Sequence, residues 1–133
     1  MRDLHNNFKP SRCISPAAII AGNGTTTGQT LDVSEFGSLE LVFVAGAITD
    51  GTFTVTLYEG EEANMSDEAA VADADLLGTE PAFGSADANA VKRVGYIGTK
   101  RYVRAKVVQT GATTGGFLCC VAIQAHPKRA PVA

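Results

Sequence analysis

The 133-residue chain has no tryptophan, and aromatic residues make up only 7% of it. It has two histidines, His5 and His126, too few to build a histidine-ligated metal centre. Its three cysteines, Cys13, Cys119 and Cys120, are odd in number and two are adjacent, a poor basis for a disulfide framework. Neighbouring residues of a strand point to opposite faces, so Cys119 and Cys120 are not placed to bridge each other. All three are read as reduced thiols packed as small core residues, which fits synthesis in a reducing cytoplasm. The longest apolar run, Phe117 to Ile123, is far below the roughly 20 residues of a membrane-spanning helix. The opening MRDLHNNFKPSRCISP is polar and has two prolines, so no secretory leader and no membrane partner are expected.

Charge of one sign is missing from whole stretches. Residues 13–91 hold thirteen carboxylates and no lysine or arginine, whereas residues 92–133 hold eight cations and no carboxylate. The net charge of −3 hides this segregation. Two arrangements produce it: acidic and basic strands that cancel inside one molecule, or opposite patches that meet between copies or on a larger lattice.

Motifs of catalysis and ligand binding fail on inspection. His5, Cys13 and an aspartate have no spacing that suggests a nucleophile and its base. Asp73-Ala-Asp75 resembles the start of a calcium loop, but Leu77 stands at the third ligand position and Gly84 where the distal glutamate belongs. The glycine-rich stretch 22–28 lacks the lysine and hydroxyl of a phosphate loop and reads as a turn between strands. No cofactor is expected, and the chain reads as non-enzymatic. Lys92, Arg93, Lys100, Arg101, Arg104 and Lys106, with Tyr96 and Tyr102, could form a nucleic-acid stripe. A pI near 5.3 and thirteen carboxylates in the same small domain argue against that partner.

What is present is short-period alternation. Ser38 to Val44 places Leu39, Leu41 and Phe43 on one face, with Val42 and Val44 opposite. Thr52 to Tyr58 alternates Phe53, Val55 and Leu57 with threonines and Tyr58, and Thr49-Asp50-Gly51 between the two runs predicts a hairpin. A second hairpin is predicted from Val91–Ile97 and Tyr102–Val108 around Gly98-Thr99. In its second strand Tyr102, Arg104 and Lys106 share a face. The last strand, from Phe117 to Ala125, carries Phe117, Cys119, Val121 and Ile123 on one face. Ala17–Ala21 and Gln29–Val33 are weaker strand candidates. Asn64 to Leu77 fits a short helix capped by Ser66 as well as it fits an irregular excursion. The expected fold is all-β: a single antiparallel β-sandwich or small barrel of about seven or eight strands. Residues 1–16 form an N-terminal arm, 17–125 the β-sandwich domain, and 126–133 a C-terminal tail.

Four stretches together resemble a known family: Asp3 to Asn7 (DLHNN), Ala69 to Glu80 (AAVADADLLGTE), Gly95 to Arg104 (GYIGTKRYVR) and His126 to Val132 (HPKRAPV). They are similar to the small head decoration, or cement, proteins of tailed bacteriophages and prophages. The resemblance implies a structural virion protein made in the bacterial host cytoplasm. It would bind the outside of the assembled capsid, with the major capsid protein and further copies of itself as partners. A trimer is favoured over a dimer by analogy alone. A neck or tail subunit (connector, stopper or tube) is the alternative. The residues expected to touch capsid or neighbour are Arg2, His5, Asn6, Asn7 and Lys9 at one end and Lys128 and Arg129 at the other. Arg101 and Arg104 are expected to face an acidic partner surface.

Overall fold

The computed structural model describes residues 3–16 and 21–132. Eleven strands are seen among them: β1 Phe8–Ile14, β2 Gly24–Thr27, β3 Leu31–Asp32, β4 Phe36–Ile48, β5 Thr52–Gly60, β6 Ala69–Ala70, β7 Leu76–Leu77, β8 Ala82–Phe83, β9 Val91–Tyr96, β10 Tyr102–Thr110 and β11 Gly116–Pro127. They form two antiparallel sheets. Sheet A runs β1-β11-β4-β9-β7; sheet B runs β2-β10-β5-β6, with β3 also on β10 and β8 also on β5. Four of the strands are only two residues long, which leaves seven of ordinary length in an all-β sandwich.

The core lies where the alternation puts it. Leu39, Leu41 and Phe43 of β4, Leu118, Cys120 and Ala122 of β11, and Val94 of β9 face Phe53, Val55 and Leu57 of β5 and Val103, Ala105 and Val107 of β10. Phe43, Phe53 and Phe83 are almost wholly covered. Burial of each such side chain contributes up to about 3 kcal/mol. The two buried amides are both bonded. Gln124 accepts from the Ser11 hydroxyl and donates to the Asp32 carbonyl, and Gln109 accepts from Thr26.

Neither predicted hairpin forms. β4 pairs with β11 and β9, whereas β5 pairs with β10, so Thr49-Asp50-Gly51 carries the chain from one sheet to the other. The same holds for β9 and β10, which lie in opposite sheets. An arch between packed sheets and a hairpin within one sheet show the same inward alternation and the same turn residues. Sequence period therefore cannot separate them. Gly51 is demanded twice at its arch: its φ is +90°, and a Cβ there would lie 2.6 Å from that of Ala112. Asp50 closes the end of the sandwich by accepting the backbone N–H groups of Thr113, Thr114 and Gly115.

Other expectations change in detail. Residues 8–14, inside the segment read as an arm, form the edge strand β1 and pair with β11. Gly24–Thr27, read as part of a turn, is β2 on the edge of sheet B. The candidate strand at 17–21 falls on residues that, apart from Ala21, lie outside those described. The 64–77 stretch is an irregular excursion with one 3-10 turn, Asp73–Asp75, and Ser66 caps no helix. Asp67 there accepts the N–H groups of Glu61 and Glu62.

Candidate interaction surfaces

The ion pairs account for much of the charge segregation. Every Lys and Arg from 92 to 106 holds a carboxylate from the acidic half: Lys92 with Asp87 (2.9 Å), Arg93 with Glu40 (3.8 Å), Lys100 with Glu61 (3.6 Å), Arg101 with Asp32 (3.0 Å), and Arg104 and Lys106 both with Glu68. The Arg104–Glu68 pair measures 2.6 Å, and these three side chains are only about 20% exposed. Lys106 also sits 4.5 Å over the Tyr58 ring. Hydrogen bonds from Lys106 and Arg104 hold the Glu68 carboxyl below its ordinary range, and the Arg101 fork holds Asp32 down to about 2. Arg101, half-exposed and stacked on Tyr102, and Arg104, largely covered, thus each hold a carboxylate of their own chain.

The remaining contact candidates cluster at one end, apart from Arg2, which lies outside the described residues. Asp3 accepts from the backbone and side chain of Asn6, and its carbonyl accepts from the Asn7 side chain, which folds residues 3–7 into a turn. Val132 N–H donates to the Asn6 carbonyl and Lys128 N–H to the Glu35 carbonyl, so the C-terminal tail lies back against the N-terminal turn. Two open clefts result. One, of about 340 Å³, is lined by Lys9, Glu35, Phe36, Pro127, Arg129, Pro131 and Val132. Its neighbour, of about 310 Å³, is lined by His5, Phe8, Lys9, Pro10 and Val132. Among the described residues Lys9, Arg12, Lys128 and Arg129 are in no ion pair.

The outward faces of the two sheets differ in chemistry. On sheet B, Thr52, Thr54, Thr56 and Tyr58 of β5 lie beside Arg104, Lys106, Val108 and Thr110 of β10. On sheet A the registers set Cys119 beside Val44, Val121 beside Val42, and Ile123 beside Glu40. Arg12 of β1 continues the Val121 row on one side, and Arg93 of β9 continues it on the other. Phe117 lies over Gly46, whose added Cβ would meet that of Phe117 at 3.1 Å. Val44, Phe117 and Val121 are each about 40% exposed, and Val91 and Leu77 are more so. The face is apolar at its centre with an arginine at each flank. Strand period groups Phe117, Cys119, Val121 and Ile123 on one face of β11 but does not say whether that face is covered, and here it is the outward one. A run apolar on both faces reads as a strand buried on both faces.

Cys119 belongs to this outer face, unlike the core position expected for it. Cys13 and Cys120 are free thiols buried in the core, and the neighbouring Cys13 thiol together with burial pushes the Cys120 thiol up. Tyr96 donates to Glu59 (2.5 Å) and accepts from the Lys100 N–H (3.1 Å); burial, then the Glu59 bond, keeps its hydroxyl protonated. Among the described residues no three of His, Cys, Asp and Glu stand together as a metal site, and no helix is long and apolar enough to cross a membrane.

No family model matches the chain, and no curated protein matches it. Several solved structures are loosely similar over nine-tenths or more of this chain. PirA aligns with a TM-score of 0.44 at 9% identity, over 95% of this chain and 99% of that one. The VP2 subviral particle of infectious bursal disease virus aligns with a TM-score of 0.40 at 11% identity, over 91% of this chain and 32% of that one. This chain therefore spans about a third of the VP2 chain it aligns with, and likenesses this distant bear on no activity.

Proposed function

We propose that this protein is a structural virion component that binds the outer surface of an assembled phage capsid and stabilises it. The observation that carries the reading is the one-sided sandwich: a threonine-rich polar sheet B and a sheet A with Val44, Phe117 and Val121 open to solvent around a half-buried Val42, between Arg12 and Arg93. A contiguous apolar patch with a polar rim marks a protein-binding surface. Its arginine flanks suit an apolar capsid surface edged by carboxylates, since complementary charge at a rim sets register. The resemblance of the four sequence stretches to head decoration proteins supplies the identity of that partner. A module that binds the assembled shell in preference to free subunits stabilises the shell by mass action. The nucleic-acid reading loses its footing, because all six cations of the basic stripe hold carboxylates of their own chain.

The test is incubation of the purified protein with undecorated, expanded capsids of its own phage, followed by pelleting and quantitation of bound copies. Saturation at hundreds of copies per particle is the expected result. Tens of copies would move the protein to the neck or tail, and no binding would remove it from the shell.

A further inference from the structure

Once the six ion pairs are formed, the remaining charge is polar across the molecule. β1 is one edge of sheet A, and it carries Lys9 and Arg12, with Lys128 and Arg129 of the tail close by. These are the described cations outside any ion pair, and Asp3 and Glu35 are the carboxylates nearby. The opposite edge is β7, preceded by the Asp73–Asp75 turn, and it stands over the β5–β6 side of sheet B. Glu59, Glu62, Asp67, Asp73, Asp75 and Glu80 lie on that side, and none is in an ion pair. Between β5 and β7 opens a cleft of about 330 Å³ lined by Thr54, Thr56, Asp73, Thr79 and Glu80 together with Val55, Leu76 and Gly78. Glu80 is anchored there by accepting the Leu57 N–H at 2.6 Å.

Five strands set the two edges roughly 19 Å apart, at about 4.8 Å per strand. That exceeds the Debye length of about 8 Å at physiological salt, so the two edges do not cancel each other's field. Each presents its own sign to a neighbour. We infer that copies of this chain associate head to tail, the β1 edge of one copy seated against the β5–β7 cleft of the next. Lys9 or Arg12 supplies the cation, and Asp73 and Glu80 receive it. The contact is made by side chains, not by extension of the sheet: Pro10 removes a donor from β1, and Lys9 and Arg12 guard the same edge against strand addition. A contact between two different patches is heterologous, and it closes into a ring or runs on as a filament according to the rotation it imposes. It needs no capsid, so its failure leaves the shell-binding reading intact.

Sedimentation velocity of the full chain from micromolar to millimolar concentration tests the inference. Association is expected at low salt, with at least a tenfold weaker dissociation constant at half-molar salt. Lys9→Glu/Arg12→Glu and, separately, Asp73→Lys should each weaken self-association at least tenfold, with unchanged circular dichroism. All three positions are exposed, so folding is preserved. An equimolar mixture of the two variants should associate again, because each supplies the edge the other has lost. A chain that stays monomeric at low salt, or association that ignores both charge reversals, overturns the inference.

Discussion

Glu68 is one carboxylate shared by two cations, Arg104 and Lys106, in a largely covered setting. Glu68→Gln leaves both cations with a neutral acceptor in place of a charged one. The expected loss is about 1–2 kcal/mol, below the value of a fully buried charged bond because water still reaches the group. Urea denaturation of the two proteins checks it. The pH dependence has a definite sign. Glu68 and Asp32 both have folded-state pKa values below their unfolded ones, Asp32 at about 2. The native state therefore binds fewer protons, and this stabilisation is whole above the unfolded carboxylate range. It is lost as pH falls from about 4 toward 2. Thermal melts across that interval should show the Arg101→Gln variant losing less stability on acidification than the parent does. The sharing of a face by Tyr102, Arg104 and Lys106 was legible in the sequence, because strand period alone dictates it. That Glu68, 36 residues before Arg104, takes both charges was not legible, because the excursion carrying it has no period.

At the scale of elements, β1 is where local pattern and tertiary context diverge. FKPSRCI contains a proline and two cations and offers little alternation, so it reads as a polar arm. Pairing with β11 overrides that reading, and the strand ends in the buried Cys13 and Ile14. Cys13 sits at a register shift in this pairing, where it meets Gly28 of the β2–β3 connection. A Cβ at Gly28 would lie 2.9 Å from the Cys13 sulfur and from the Ala105 carbonyl oxygen, and 3.1 Å from the Cys13 carbonyl oxygen. Two of these atoms are backbone and cannot swing aside. Gly28→Ala should cost about 1–3 kcal/mol by overpacking, read as a lower denaturation midpoint. Truncation separates arm from strand. Removal of residues 1–7 should leave a cooperative two-sheet fold, whereas removal of 1–14 strips the edge of sheet A and uncovers β11. Hydrogen exchange along β11 distinguishes the two. The arches at Gly51 and Gly98 follow the same logic: the turn residues mark a reversal, and only packing decides which sheet receives the next strand.

At the scale of the molecule, two asymmetries overlap on one scaffold. The charge asymmetry was visible along the chain, since 13–91 and 92–133 differ so completely in sign. Its resolution needed three dimensions, because six cations are held by five carboxylates within the fold and four described ones at the β1 and tail end are held by none. The apolar asymmetry was hidden, because β4 and β11 carry apolar residues on both faces and sequence cannot say which face is covered. Val121 on sheet A and Val108 on sheet B offer a matched comparison. They are 38% and 41% exposed, each is flanked in register by neighbours on both sides, and each points away from the core. A lysine at either position should change fold stability by no more than about 0.5 kcal/mol, as for ordinary surface sites. Their effects on shell attachment should differ. Val121→Lys places an unpaired charge at the centre of the proposed contact, costs about 2 kcal/mol or more, and weakens capsid binding roughly 30-fold. Val108→Lys, set among threonines on the opposite face, should leave binding within about twofold of the parent. Equal losses from the two variants would mean that sheet A is not the face that meets the shell.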